Sequence, residues 1–212
     1  MFKALLRTAC AAPLVSLVAT FACADSPASS SNEVLSTYAD IAQAGYADSL
    51  AAAKKLQSAV DRLIAGPSHA NLTAARSAWL FARVPYQQTE AFRFGNKIVD
   101  DWEGKVNSWP LDEGLIDYVD ASYGSDNPEN PLFTANVIAS QSITIGGEKV
   151  DLSSISKDIL ADKLQEAGGV EANVATGYHA IEFLLWGQDL NGTDAGAGNR
   201  PASDFDPKNC TS

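Results

Sequence analysis

The sequence predicts a mainly α protein: a helical bundle with a kinked second helix, irregular insertions and one small β-hairpin. Three observations carry this. Apolar residues recur at three- and four-residue steps over long stretches. Glycine and proline stops divide those stretches into four helical segments. Only one short stretch alternates with period two.

The first residues are not bundle. Met1-Phe2-Lys3 and Arg7 precede an apolar run from Ala9 to Ala22, which exits through Ala22-Cys23-Ala24. Residues 1–24 are expected to be a secretory signal peptide, with an anchoring helix as the alternative; the run is short for a membrane span. Lipidation at Cys23 is a second alternative, against which the bulky Phe21 stands. Residues 25–32 are polar and Ser-rich and read as a disordered leader.

A first long helix follows. Val34, Leu35, Tyr38, Ile41, Leu50, Leu56, Val60 and Leu63 lie on a helical period, Asn32 is the expected N-cap, and Gly66-Pro67 is the stop. A second helix is expected from about Asn71 to Phe94, kinked at Pro85, since proline lacks an N–H and crowds the preceding turn. Residues 96–130 read as short helices and turns, and Ser122 to Pro131 as loop. Ser142–Asp151, broken at Gly146-Gly147, reads as a hairpin. Helices return over Ser156–Ala167 and Glu171–Trp186. Residues 33–190 are therefore taken as one helical domain, and 191–212 as a Gly/Asn/Asp-rich loop.

Charge narrows the function. The chain carries 15 basic and 26 acidic residues. Without Lys3 and Arg7, 13 basic residues remain and the formal charge is near −13. Such a surface repels phosphate backbones, which argues against a nucleic-acid partner. Cys210 stands alone in the expected mature chain; a disulfide partner beyond Ser212, an intermolecular bond and a free thiol are the readings open to it.

The sharpest chemical signal is Gly177-Tyr178-His179-Ala180-Ile181-Glu182. Helical residues three apart share a face, so His179 and Glu182 can aim an imidazole nitrogen and a carboxylate at one spot, a donor pair suited to divalent iron or zinc. The structural alternative is a hydrogen-bonded pair within the core, because two ligands do not make a site. Glu90 is the first candidate for a third ligand or a catalytic base, the alternative being an ion pair with Arg93. Asp112 and Glu113 come next, the alternative being helix capping. His69, in a helix-connecting turn, reads as surface. There is no H-E-x-x-H, no G-x-S-x-G and no phosphate-cradling glycine loop.

The Gly177-x-His179-x-x-Glu182 pattern resembles the G-x-H-x-x-E motif of imelysin-like proteins, also described as insulin-cleaving membrane proteases and, in one branch, as iron-regulated protein A. Further stretches resemble the same family: Ala75-Arg-x-x-Trp79 to Pro85-Tyr86, Thr89-Glu90-x-Phe92-Arg93-Phe94-Gly95, Val106-Asn-x-Trp109-Pro110-Leu-Asp112, and Trp186-Gly-Gln-Asp189 to Gly198-Asn-Arg-Pro201. The resemblance implies two helical-bundle halves with a site near their junction, of which this chain would be the first. It also implies an exported, iron-responsive protein and a metallopeptidase label.

Three functions follow as expectations. The first is an exported periplasmic or outer-membrane-associated protein that binds a divalent metal, iron or zinc, through His179, Glu182, Glu90 and Asp112, with envelope proteins as further partners. The second is a zinc metallopeptidase acting on a peptide substrate, with Glu90 and Glu182 as catalytic acids and bases. The third is a metal-free interaction module.

Overall fold

A computed structural model describes residues 30–208. The signal peptide, Cys23 and Cys210 lie outside the described residues. The fold is mainly helical with one two-stranded antiparallel sheet.

The first helix, α1, spans Ser31–Ala65. Its cap is Ser30 rather than Asn32: the Ser30 hydroxyl accepts from the Glu33 amide and the Glu33 carboxylate accepts from the Ser30 amide, a capping box. The leader expected up to residue 32 therefore gives way to helix at Ser31. Helix α2 spans His69–Gln88, is capped by Ser68, and tightens into a 3₁₀ turn over Thr89–Phe92. Pro85 lies inside α2, and the regular helix stops at Gln88 instead of running to Phe94. His69 opens α2 and is exposed, as expected.

Helices α1 and α2 pack along one apolar stripe. Ala52, Leu56, Ala59 and Leu63 meet Leu72, Ala75, Trp79, Ala82 and Tyr86, all buried. Alanines at the contact let the two backbones approach. The first buried residue of α1 is Ser49; Val34, Leu35, Tyr38 and Ile41 continue the stripe but are more than half exposed.

Residues 97–130 form α3 (Lys97–Val106), the one-turn α4 (Glu113–Ile116) and a 3₁₀ turn at Ala121–Tyr123. Strands β1 (Ser142–Ile145) and β2 (Glu148–Asp151) pair with Ile143 opposite Val150. Gly146 and Gly147 both take positive φ, the backbone a tight two-residue hairpin turn requires. The hairpin buries Ile143 and Val150 against Leu115, Val137 and Leu164 in a second small core.

Two helical expectations are corrected. The helix expected over residues 156–167 is present but short and wide: residues 157–158 are α-helical, Ile159–Leu164 opens into a π-helix, and it ends there, before Ala167. The last helix, α5, spans Gly177–Trp186 and does not begin at Glu171. The buried Asn173 explains the difference: its amide donates to the Ala167 carbonyl at 2.7 Å and its side-chain oxygen accepts from Asn130 at 2.7 Å. That network pins residues 170–176 as a turn and extended segment, because helical backbone would orphan a fully buried amide.

Candidate functional site

Helix α5 carries the motif, and its neighbours place it tightly. Gly177 has φ +88°, and a β-carbon there would stand 2.5 Å from the Val106 carbonyl oxygen. Only glycine allows both this backbone and this approach of α5 to α3. On the other side the Trp79 indole donates to the Tyr178 carbonyl at 2.8 Å. The Arg76 guanidinium donates to the Leu185 carbonyl at 3.0 and 2.9 Å and to the Arg200 carbonyl at 2.9 Å. Helix α2 thus holds both ends of α5 and the returning loop, which gives Arg76 and Trp79 structural roles.

One turn of α5 brings His179 and Glu182 together: His179 Nδ1 lies 3.0 Å from Glu182 Oε2. The Trp109 ring covers the imidazole, with centroids 5.0 Å apart. If Nδ1–H donates to Glu182, the Nε2 lone pair of the neutral ring is left for a ligand.

Both side chains line a cavity of about 740 Å³ walled by Trp79, Trp109, Trp186 and Phe183. Two more carboxylates line it, Glu113 and Asp189, and among its described lining residues there is no lysine or arginine. Burial pushes the Glu113 carboxyl above its ordinary range, and the charges of Asp189 and Glu182 push it the same way. A larger apolar cavity of about 800 Å³ lies between α1 and α5, lined by Leu56, Ile181 and Leu185; the motif pair is not among its walls.

Glu113 is held by α4. Gly114, Leu115 and Ile116 accept in turn from the amides of Asn136, Val137 and Ile138, at 2.9, 2.9 and 3.3 Å. A β-carbon at Gly114 would meet the Phe133 carbonyl at 2.6 Å, so the clamp depends on glycine. Asp189 follows Gly187, whose φ is +74°. The loop returns past Gly198, where a β-carbon would lie 2.3 Å from the Gly187 carbonyl, and the Arg200 amide then donates to the Trp186 carbonyl at 2.8 Å.

The other expected ligands go elsewhere. Glu90 is exposed in the 3₁₀ turn after α2 and lines a separate shallow pocket with Arg93 and Asp100. It does not join His179, and Arg93 pairs instead with Glu103 at 3.1 Å and Asp100 at 3.6 Å. Asp112 accepts from the Asn130 amide at 2.5 Å, at the edge of the Asn130–Asn173 network. Its backbone N-caps α4, but its side chain makes no capping bond. Among the described residues no three His, Cys, Asp or Glu side chains stand close enough together to hold a metal ion as they are oriented.

Known proteins are similar to this chain in sequence. The imelysin model of the M75 peptidases matches residues 42–212. The chain belongs to the imelysin family. It is also similar to iron-regulated protein A of Synechococcus elongatus, with 34% identity over 96 residues covering 44% of this chain and 27% of the relative. The match thus spans about a quarter of that relative's length. Within the imelysin chain, sequence reasoning placed His179 and Glu182 on one helical face, and it read Asp189 as part of a loop rather than as a lining residue of their cavity. The signal that could have found it was the pair of glycines, Gly187 and Gly198, that fold its loop back onto α5.

Proposed function

We propose that this imelysin-family protein is exported to the bacterial cell envelope and captures a divalent metal ion there, iron foremost, for uptake or iron-responsive physiology. One observation carries the reading: His179 and Glu182 open onto a cavity that also holds Glu113 and Asp189 and is lined by no cationic side chain among the described residues. Acidic oxygens with one imidazole nitrogen form a donor set that suits iron(II) or zinc. The relative's name, iron-regulated protein A, favours iron.

His179 and Glu182 would be the nucleus of such a site. A bound ion would supply Lewis acidity and, with water in an open position, a nucleophile near neutral pH. Residues of this chain would do the holding: Glu182 would orient His179 through the Nδ1 contact, Trp109 covers the ring, and Gly177 seats the helix. The peptidase reading would also use Glu182, as a base; Glu90 lies too far along the fold to serve the pair.

Metal analysis and calorimetric titration of the purified full chain test the proposal. Iron(II) bound at unit stoichiometry, lost in His179→Ala and without peptide cleavage, is the expected result. Zinc-dependent peptide hydrolysis abolished in Glu182→Gln would move the assignment to a peptidase. No bound metal, with a melting temperature indifferent to chelators, would sink both.

A further inference from the structure

We infer that the apolar cavity between α1 and α5 binds an elongated apolar carboxylate carrying a second oxygen group, the chemistry of a hydroxy fatty acid, with its carboxylate on Arg200. Four buried side-chain polar atoms have no hydrogen-bond partner among the described residues: the Tyr46 and Tyr86 hydroxyls and Nε and Nη2 of Arg200. All three residues line this one cavity of about 800 Å³. Most buried polar groups are paired, and leaving a donor of a buried charge unpaired is the costliest case. Their gathering around one cavity points to a ligand that brings oxygen. His179 and Glu182 line a different cavity, so the inference is independent of the metal-binding reading.

Arg200 sets the head group. Its side chain is only 3% exposed, and Nη1 is spent on Asp117 and Asp204 at 2.5 and 3.5 Å. Nε–H and Nη2–H form another edge of the guanidinium, a planar fork that matches the two oxygens of a carboxylate. The charged residues of the lining balance, Arg200 and Lys105 against Asp117 and Asp204, so the wall carries no net negative charge to repel an anion. The remaining lining sets the body of the ligand. Tyr86 packs on Tyr178 at the start of α5, with ring centroids 5.0 Å apart, and the Arg200 amide bonds the Trp186 carbonyl at its end. Roughly 12 Å of helical rise separates those ends. Leu56, Ile181, Leu184 and Leu185 line the cavity and offer a hydrocarbon chain an apolar wall. The Tyr86 hydroxyl would then meet the second oxygen at the far end.

Calorimetric titration of the full chain with ω-hydroxydodecanoate, dodecanoate and dodecanol tests this. ω-Hydroxydodecanoate should bind at unit stoichiometry, and dodecanol about tenfold more weakly or worse, since it cannot fill the fork. Arg200→Lys keeps a cation beside Asp117 but loses the planar fork. It should weaken both acids about tenfold and leave dodecanol unchanged. Tyr86→Phe should erase the advantage of ω-hydroxydodecanoate over dodecanoate. Ala53→Trp, on the α1 wall of the cavity, should abolish binding of all three, and His179→Ala should change nothing. No binding by the unmodified chain, equal affinity for acid and alcohol, or undiminished binding in Ala53→Trp would overturn the inference. So would a dimer in sedimentation that Ala53→Trp dissolves and the acids leave intact, because a second copy would then fill the groove. Should Arg200→Lys fail to fold, the acid and alcohol affinities of the unmodified chain still decide.

Discussion

Trp109 lies over the ring of His179 at a centroid separation of 5.0 Å and an interplanar angle of 52°. The tryptophan is 70% exposed, so its position answers to the imidazole more than to a core. Trp109→Ala should leave global stability within about 1 kcal/mol, the scale of an aromatic pair at a surface. It should also loosen His179, read as a lowered metal affinity in calorimetry with unchanged stoichiometry. A melting temperature that collapses in this variant would place Trp109 in the core instead.

Gly177 is the position where a single methyl group should do most damage near the site. The added carbon would meet the Val106 carbonyl at 2.5 Å on a backbone with φ +88°. Gly177→Ala should cost more than about 2 kcal/mol, combining left-handed strain with displacement of α5 from α3. Urea unfolding measures it, and a cost under about 0.5 kcal/mol would contradict the packing described.

Arg200 and Asp117 form a buried ion pair at 2.5 Å, both side chains less than 10% exposed. The guanidinium also lies over Tyr118 and Phe183, and Asp204 stands 3.5 Å away. Asp117→Ala should destabilise by about 3 kcal/mol, because it leaves a buried cation with a weaker partner. Equilibrium denaturation with the Arg200→Met/Asp117→Ala double variant should recover part of the loss.

Tyr86 is buried with a hydroxyl that has no hydrogen-bond partner, and burial, followed by the Glu103 charge, holds its pKa up at about 12. The unfolded phenol ionises near 10. Between pH 10 and 12 the unfolded chain therefore loses this proton first, and stability falls as pH rises through that window. Tyr86→Phe should be neutral or slightly stabilising at pH 7 and should flatten the alkaline slope. Tyr118 and Tyr123, also held up at about 12 chiefly by burial, will keep part of it.

Leu63 and Leu72 are fully buried between α1 and α2. Either leucine replaced by alanine should cost about 2–5 kcal/mol, the range for cavities in a packed core. Denaturant midpoints should fall with little change in slope.

The long helices were legible because Leu56, Leu63, Leu72 and Trp79 repeat at the helical period and each meets its partner on the adjacent helix in sequence. The hairpin was legible because Gly146 and Gly147 fix its turn. The start of α5 was not: Val174 and Ala175 suit a helix, and only the tertiary partners of Asn173 forbid one. For the site, the spacing of His179 and Glu182 was a local fact and could be read directly. Glu90 was favoured for lying on a helix beside a kink, but its place at the far end of α2 depends on how α2 docks, which no spacing encodes. Asp189 sits on an aperiodic loop, where only backbone geometry reveals which way the chain returns.

The unequal lengths of α1 and α2 have a consequence for motion. Residues 31–44 of α1 include no fully buried residue and are held by little more than the edge-on contact of Tyr38 with Phe92 at 5.3 Å, whereas from Ser49 onward the helix is locked at regular intervals. A thinly supported stretch of about four turns is marginal in water on its own, so amide protons should exchange faster along the first third of this rod than along the rest. The boundary should fall near Gly45, which lies against both Phe92 and Thr89, making that glycine the point at which a continuous helix divides into a live end and a fixed one.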